Sequence, residues 1–399
     1  MKLAIVNLGA VVTGLLNEKA TRADTILVEG EKITRVGTAT SAEVDSCDVV
    51  IDAAGATAIP GLIDSHVHIT FGDYTPRQKT VGYLESYTHG GVTTAISASE
   101  VHVPGRPKDP AGVKSLAIAA RKSFDTFRPG GMKVHAGSVI LEPGLTEKDF
   151  KEMAEQGVRL AKAGFGAFAS PHDYKPLVAA AKAAGMVTMM HTGAASIPGS
   201  SGIWAEHVLS VDPDVSFHVN GGPVAMPNAD FKRVVEESRV ALQLCTAGNL
   251  RTALLVTELA LAANAFDRVL IATDTPTGSG IMPLGILYTI SHLCSLGPKL
   301  EPEQAIAAAT GNNARVFKLN SGVLAAGKDA DIVLIDACEG GSQDDAFGAF
   351  RNGDIAGVGA VVTAGVPRFV GKSRNTPPTK KKVRVARSNV MQTFSGEGH

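Results

Sequence analysis

The texture of apolar and polar positions changes twice along the chain. From Leu3 to about Ile59 the apolar residues come in short runs, among them Ile26-Leu-Val, Ile33-Thr-Arg-Val and Val49-Val-Ile51, separated by turn residues such as Gly30-Glu31-Lys32. Short β-prone runs punctuated this way predict a small β unit. From Gly61 to about Asn313 short apolar runs alternate with longer alanine-rich segments, the rhythm of a parallel sheet covered by helices. Strands are expected at Leu62 to Ile69, Thr93 to Ser97, Lys133 to Ile140, Gly166 to Ala169, Val187 to His191, Val215 to Val219, Ala241 to Leu244 and Val269 to Thr273. Helices between them include Tyr174 to Ala184, Phe231 to Glu237 and Arg251 to Asn264. Eight strands in about 250 residues is the count and length of a (β/α)8 TIM-like barrel.

After a last expected helix around Glu303 to Phe317, β texture returns at Ile332-Val-Leu-Ile335 and Val358 to Val362. Residues 1–60 and 318–378 are therefore expected to form the two halves of one composite β-sandwich, with the barrel of residues 61–317 inserted between them. Residues 379–399 open with the basic stretch Lys380 to Arg387 and become rich in Ser, Gly and Glu. They read as a flexible tail; an arm for an anionic partner or for oligomerisation is the functional alternative.

Composition narrows the class. Of 399 residues, 44% are hydrophobic and 19% charged, which excludes a disordered chain and a coiled coil. Lys plus Arg number 38 against 39 Asp plus Glu, a net charge of −1, so no global field draws the chain to nucleic acid or to an anionic membrane. No run of about 18 uncharged apolar residues occurs, so no transmembrane helix is expected. The apolar start from Met1 to Leu16 imitates a signal peptide, but Asn7 interrupts it and further short strands continue it. Cys47, Cys245, Cys294 and Cys338 are dispersed with no CxxC pair, which suits reduced thiols in a cytoplasmic protein. The 43 glycines suit tight loops on a rigid scaffold.

The strongest chemical signal is Gly61-Leu-Ile-Asp-Ser-His-Val-His68, an apolar strand ending in two histidines. Positions i and i+2 of a strand project from one side, so His66 and His68 can converge on one ion. Alone, such a pair is also compatible with packed histidines. His191 and His218 fall where two further strands should end, and Asp274 follows the eighth. The C-terminal ends of the strands are where barrels of this type assemble their sites, so these five side chains together read as a metal centre. Lys162, in Leu160-Ala-Lys-Ala-Gly-Phe-Gly166, immediately precedes the expected start of the fourth strand.

On these residues, together with Pro60-Gly61-Leu62, Pro104-Gly-Arg-Pro-Lys-Asp109, Ser196-Ile-Pro-Gly-Ser-Ser201, Asn220-Gly-Gly-Pro223 and Ser373-Arg-Asn-Thr-Pro-Pro378, the chain resembles the amidohydrolase superfamily, and within it the enamidase branch. The resemblance runs from the N-terminal β segment to about Pro378. It implies two divalent ions, zinc or a mixed zinc/iron pair. His66, His68 and Asp274 would hold one and His191 and His218 the other, with a bridge from the end of the fourth strand. Lys162 is the local candidate, useful once carbon dioxide has converted its amine to an anionic carbamate. Enamidases as the resemblance has them carry a glutamate near this point, so the sequence departs from them. The other reading of Lys162 is a solvent-facing lysine closing a helix, with the bridge supplied by water alone.

The implied activity is hydrolysis of a C–N amide bond in a small cyclic amide, an enamidase-type carboxylated lactam. Two ions sharing a water bring its pKa from 15.7 toward ~7, giving a bridging hydroxide, with Asp274 as proton shuttle. A hydrolase of cyclic imides, hydantoins or dihydropyrimidines is the alternative, and a non-catalytic scaffold with missing ligands is the reading from another class. The resemblance also implies a homotetramer. For substrate contacts, Gly193, Gly221 and Gly222 follow ligand-bearing strands and offer backbone amides, while Arg77, Lys79, Arg106 and Lys108 in early loops offer an anion clamp. His135 and His102 are expected to face the top of the barrel or its interior.

Overall fold

The computed structural model describes residues 1–69, 80–100, 106–195, 200–222, 224–276, 280–297 and 300–390. At its centre eight parallel staves form a barrel: Leu62–Val67, Val92–Ser97, Lys133–His135 continued by Ser138–Ile140, Leu160–Ala163, Val187–His191, Val215–Phe217, Ala241–Cys245 and Val269–Ala272. Staves pair in chain order, and a parallel bridge between Val67 and Thr275 returns the last to the first. The third stave, expected as one strand, is interrupted because Gly137 N and Ser138 N both donate to the Glu100 carboxylate at 2.6 Å. Those amides are taken by a side chain, so the ladder pauses there.

Inward-facing Ile63, Ile96, Leu160, Val187, Met189, Phe217 and Leu270 fill the barrel together with Ala314 and Phe317. The short helix Gly311–Val316 sits across the N-terminal end, where Asn312 Nδ2 donates to Val269 O (3.0 Å) and Asn313 Nδ2 to Ile63 O (3.3 Å). The expected single helix from Glu303 to Phe317 is thus two, Pro302–Ala309 and Gly311–Val316. Outer helices follow local rules. In Pro110–Ser123, the Asp109 side chain caps Gly112 N at 2.9 Å and proline occupies the first turn. Val113, Ala117 and Ala120 form the buried face, and Arg121 and Lys122 complement the C-terminal end of the dipole.

The fourth stave corrects the expected strand at Gly166 to Ala169. It is Leu160–Ala163, paired on one side with Ser138–Ile140 and on the other with Val187–Met190. The alanine-rich stretch reads as helix by propensity, but two neighbouring strands supply hydrogen bonds on both edges and override it. The chain leaves the stave at Gly164, at φ +112, where a Cβ would lie 2.6 Å from that of His191.

Beside the barrel stand two five-stranded sheets, each drawing strands from both ends of the chain. One runs Arg384–Ser388, Val49–Asp52, Lys2–Val6, Thr25–Glu29, Lys32–Gly37; the other runs Val366–Val370, Gly357–Thr363, Ile332–Asp336, Thr57–Pro60, Ala10–Val11. Leu3, Ile5, Ile26, Ile51, Ile332, Leu334 and Val362 share one hydrophobic cluster between them. The basic stretch expected to lie in a flexible tail is instead structured, since Arg384–Ser388 pairs antiparallel with Val49–Asp52. Its charges meet acids from elsewhere: Arg384 with Asp52 (2.6 Å), Arg387 with Asp45 (3.0 Å), Lys381 with Asp336 (3.1 Å) and Lys382 with Glu339 (2.9 Å). Residues 391–399 lie outside the described residues.

Candidate metal centre

His66 and His68 leave the first stave on one side, as their spacing requires, and both meet the aspartate that follows the eighth. His66 Nε2 lies 3.0 Å and His68 Nε2 3.2 Å from Asp274 Oδ1. Ligand atoms of these three buried residues all lie within 4.8 Å of one another. Burial opposes the charge on Asp274, and where the facing His66 and His68 nitrogens carry protons their charge and hydrogen bonds more than offset it and hold the carboxyl well below the usual range.

His191 ends the fifth stave and His218 follows the sixth, and His191 Nδ1 lies 3.1 Å from His218 Nε2. The outer nitrogen of each ring faces a backbone carbonyl: His191 Nε2 lies 2.8 Å from Ala194 O, and His218 Nδ1 3.0 Å from Thr192 O. A carbonyl only accepts, so these nitrogens carry the protons and the two inner nitrogens present lone pairs to each other. The same holds at His66, whose Nδ1 lies 2.8 Å from Gln243 Oε1, leaving its Nε2 lone pair against the Asp274 carboxylate. Burial pushes His66 and His191 down to about 4 and His218 well below its ordinary value, which keeps the rings neutral. Acceptors converge on acceptors here, and neutral imidazole with carboxylate is the donor set of zinc- and iron-type ions. The residues fit divalent metal.

Lys162 acts on both sets through its charge, which lowers the pKa of His66, His191 and His218. It is a buried strand residue, 1% exposed, not a solvent-facing lysine at a helix end. Its Nζ lies 4.1 Å from the Phe217 ring centroid and 5.3 Å from that of Phe165. Burial brings its amine down to about 7, against the opposing pull of Asp274.

Several supporting residues escaped the sequence reading. Gln243, a polar residue inside the apolar seventh stave, accepts at His66 and donates through Nε2 to Ser65 Oγ at 2.8 Å. Asp64, two residues before His66, accepts from His66 N and from Thr273. A polar side chain in an otherwise apolar strand was the available signal for both.

Of the expected substrate contacts, Arg77 and Lys79 lie outside the described residues, as does His102. Arg106 is no free clamp: it pairs with the buried Glu142 and donates to Phe165 O, joining the loops after the third and fourth staves. Lys108 is exposed and forms no ion pair among the described residues. The Gly193 amide donates to Ile203 O (2.9 Å) and the Gly221 amide to His218 O (2.6 Å), so both are spent within the loops rather than offered to a substrate. Gly222 faces open space, with nothing within 4 Å of an added Cβ. His135 belongs to the first half of the third stave and lines a cavity at the other end of the barrel.

The profile of the amidohydrolase family matches residues 57–360, the span that holds His66, His68, Lys162, His191, His218 and Asp274. The chain belongs to the amidohydrolase family. It is 44% identical to the enamidase of Eubacterium barkeri over 385 residues, covering 96% of this chain and 99% of that one. A crystal structure of enamidase superposes with a TM-score of 0.90 at 44% identity, covering 96% of this chain and 100% of that one. The imidazolonepropionase of Bacillus cereus is 26% identical over 84% of this chain and 90% of its own length. A β-aspartyl dipeptidase from Fervidobacterium islandicum, at 18% identity and a TM-score of 0.63 over 94% of this chain and 98% of that one, shares the fold. Membership makes the chain a metal-dependent hydrolase of C–N bonds with the barrel of the family. The non-catalytic scaffold reading requires missing ligands, and the four histidines and the aspartate expected as ligands are all present in the sequence. Among the described residues no helix is long and apolar enough to cross a membrane.

Proposed function

We propose that the chain opens a small cyclic amide, an enamidase-type carboxylated lactam, by hydrolysis of its ring C–N bond. The observation that carries this is the 44% identity to an enamidase across nearly the whole of both chains. In this reading His66, His68 and Asp274 hold one ion, His191 and His218 hold the second, and Lys162 bridges them as a carbamate. Divalent ions bound there supply a water acidified toward neutral pKa and a Lewis acid for the scissile carbonyl. Asp274, ionised and oriented by its bonds to the first stave, accepts the water proton at a carboxylate oxygen and returns it to the departing ring nitrogen. Water oxygen joins the carbonyl carbon, the C–N bond breaks, and the nitrogen leaves protonated. From an enamide the freed amine is an enamine, which tautomerises to an imine that water converts to a carbonyl and ammonia.

Burial of Lys162 among aromatic rings supports this role, since it favours the neutral amine that attacks carbon dioxide, forming an N–C bond and releasing one proton. The same lysine favours a second reading, a hydrolase of cyclic imides, hydantoins or dihydropyrimidines. Steady-state assays over a panel of carboxylated lactams, imides and hydantoins separate the two. Turnover of the lactams alone supports the first, and turnover of hydantoins without lactams replaces it with the second.

The finer features belong to the same reading: zinc or a zinc/iron pair as the metals, a cytoplasmic homotetramer, and the two sheets as one composite β-sandwich interrupted by the barrel. Metal analysis and light scattering of the purified protein test the first two.

A further inference from the structure

A cavity of about 320 Å³ opens at the end of the barrel opposite the metal residues. Its inner wall is apolar. Ile96, Leu160, Val187 and Phe317 belong to the cluster that fills the barrel, and Leu319 packs against them. Leu160 and Val187 are the first residues of the staves that carry Lys162 and His191 further on, which places the cavity at the N-terminal mouth.

Its rim is cationic. Arg121, His135, Arg159 and Lys318 line it, and no carboxylate does. Arg121 is already engaged, by Gly157 O at 3.0 Å and by Asp125 at 3.0 Å. Among the described residues Arg159 donates to the carbonyls of Ala154 (2.7 Å) and Val158 (3.3 Å), and neither it nor Lys318 has an ion pair there. Two positive charges therefore stand without a counter-charge over an apolar wall. Burial first, then Arg121 and Lys133, bring the His135 pKa down to about 4, with Asp329 opposing.

A guanidinium and an ammonium on the rim of one cavity take a carboxylate in charge-assisted hydrogen bonds. The wall beneath takes an apolar body, and the volume falls within the range of small-molecule sites, roughly 300–1,000 Å³. We propose that this cavity is a binding site for a small organic carboxylate with an apolar body, its carboxylate held by Arg159 and Lys318 and its body resting on Leu160, Val187 and Phe317. A ligand here touches the frame of the metal centre without reaching it. The assignment is independent of which C–N bond the metal end cleaves.

Titration calorimetry of the metal-loaded enzyme with benzoate tests it, with benzamide as the uncharged isostere. One benzoate per chain is expected, and benzamide is expected to bind at least ten-fold more weakly. The double variant R159Q/K318Q is expected to weaken benzoate at least ten-fold while metal content, circular dichroism and kcat/KM without benzoate stay as in the parent. L319W, which fills the cavity and leaves every charge in place, is expected to abolish binding at this site. Equal affinity of parent and double variant, equal affinity for benzamide, undiminished binding by L319W, or no heat at millimolar benzoate overturns the proposal.

Discussion

Thr273 is bound to Asp64 at two points, its hydroxyl donating to Asp64 Oδ2 at 2.5 Å and its backbone N–H to Asp64 Oδ1 at 3.0 Å. Asp64 Oδ1 lies 3.2 Å from His66 N, and Asp274 N donates to His66 O at 2.9 Å. One buried carboxylate thus ties the stave that carries the two histidines to the residue before the acid. Asp274 needs that tie. Its backbone lies at φ +60, a left-handed conformation that costs a side-chain-bearing residue about 1–3 kcal/mol and persists only where its surroundings impose it.

Asp64→Ala leaves the Thr273 N–H buried and unpaired, while the hydroxyl keeps Thr275 Oγ1 at 2.7 Å, at a cost of about 1–3 kcal/mol, and frees Asp274 to move. A misplacement of about 1 Å lowers turnover on the order of 10²-fold. Asp64→Asn keeps one accepting oxygen and is expected to fall between. Steady-state kinetics with metal content measured in parallel check this; parent-like kcat in Asp64→Ala would show that Asp64 does not position the acid.

Gln243→Leu removes the acceptor that orients His66 and sets its tautomer. Loss of such a partner weakens metal affinity roughly 10–100-fold. Competition with a chromophoric zinc chelator reads the change directly, and unchanged zinc affinity in Gln243→Leu would count against the role.

Lys162→Ala removes the proposed bridge, and most activity is expected to go with it. Lys162→Glu restores a permanent carboxylate at this place and is expected to recover part, as is propionate added to Lys162→Ala. Full turnover by Lys162→Ala with both ions present would leave the carbamate without a purpose.

Arg106→Ala strands the Glu142 carboxylate, which is fully buried, without its partner. Breaking a buried pair from one side costs about 3–5 kcal/mol, so thermal stability is expected to fall sharply. A substrate clamp would behave in the opposite way, with KM rising at an unchanged melting temperature, and differential scanning calorimetry beside kinetics separates the two.

Asp149 caps the helix Glu147–Glu155 with Thr146 and pairs with Lys114 at 2.7 Å, and the Lys114 and Thr146 bonds bring its carboxyl down to about 2. A depressed carboxyl stabilises the fold above its unfolded pKa of about 3.9 and loses that contribution as pH falls toward the folded value. Asp149→Asn is therefore expected to melt lower than the parent at pH 7, by roughly 1 kcal/mol in stability. The difference should shrink between about pH 4 and pH 2; a gap that stays constant over that range would rule out the carboxylate as its source.

The residues that local pattern exposes are those whose chemistry depends on neighbours in sequence. His66 lies on the first stave and His68 one residue past its end, two positions on, so alternation puts them on one side, and the barrel follows from apolar runs alternating with helical stretches. Lys162, Asp64 and Arg384 were harder to place because their roles are set by partners far along the chain. Leu160–Ala163 becomes a strand only because two other strands flank it, and that choice turns a lysine at a supposed helix end into a buried amine beside the histidines. The basic stretch becomes an edge strand because Asp52 and Asp45, more than three hundred residues earlier, meet its arginines. Arg106 shows the converse, a loop cation whose charge looks available until folding brings Glu142 beneath it. Sequence by itself determined the barrel, the histidine pair at the end of its first stave and the residue types of the other expected ligands, because periodicity is local. Which lone pairs face each other, which charges are already spent and which stay open were decided by tertiary structure, since hydrogen-bond and ion-pair partners are chosen by proximity in space.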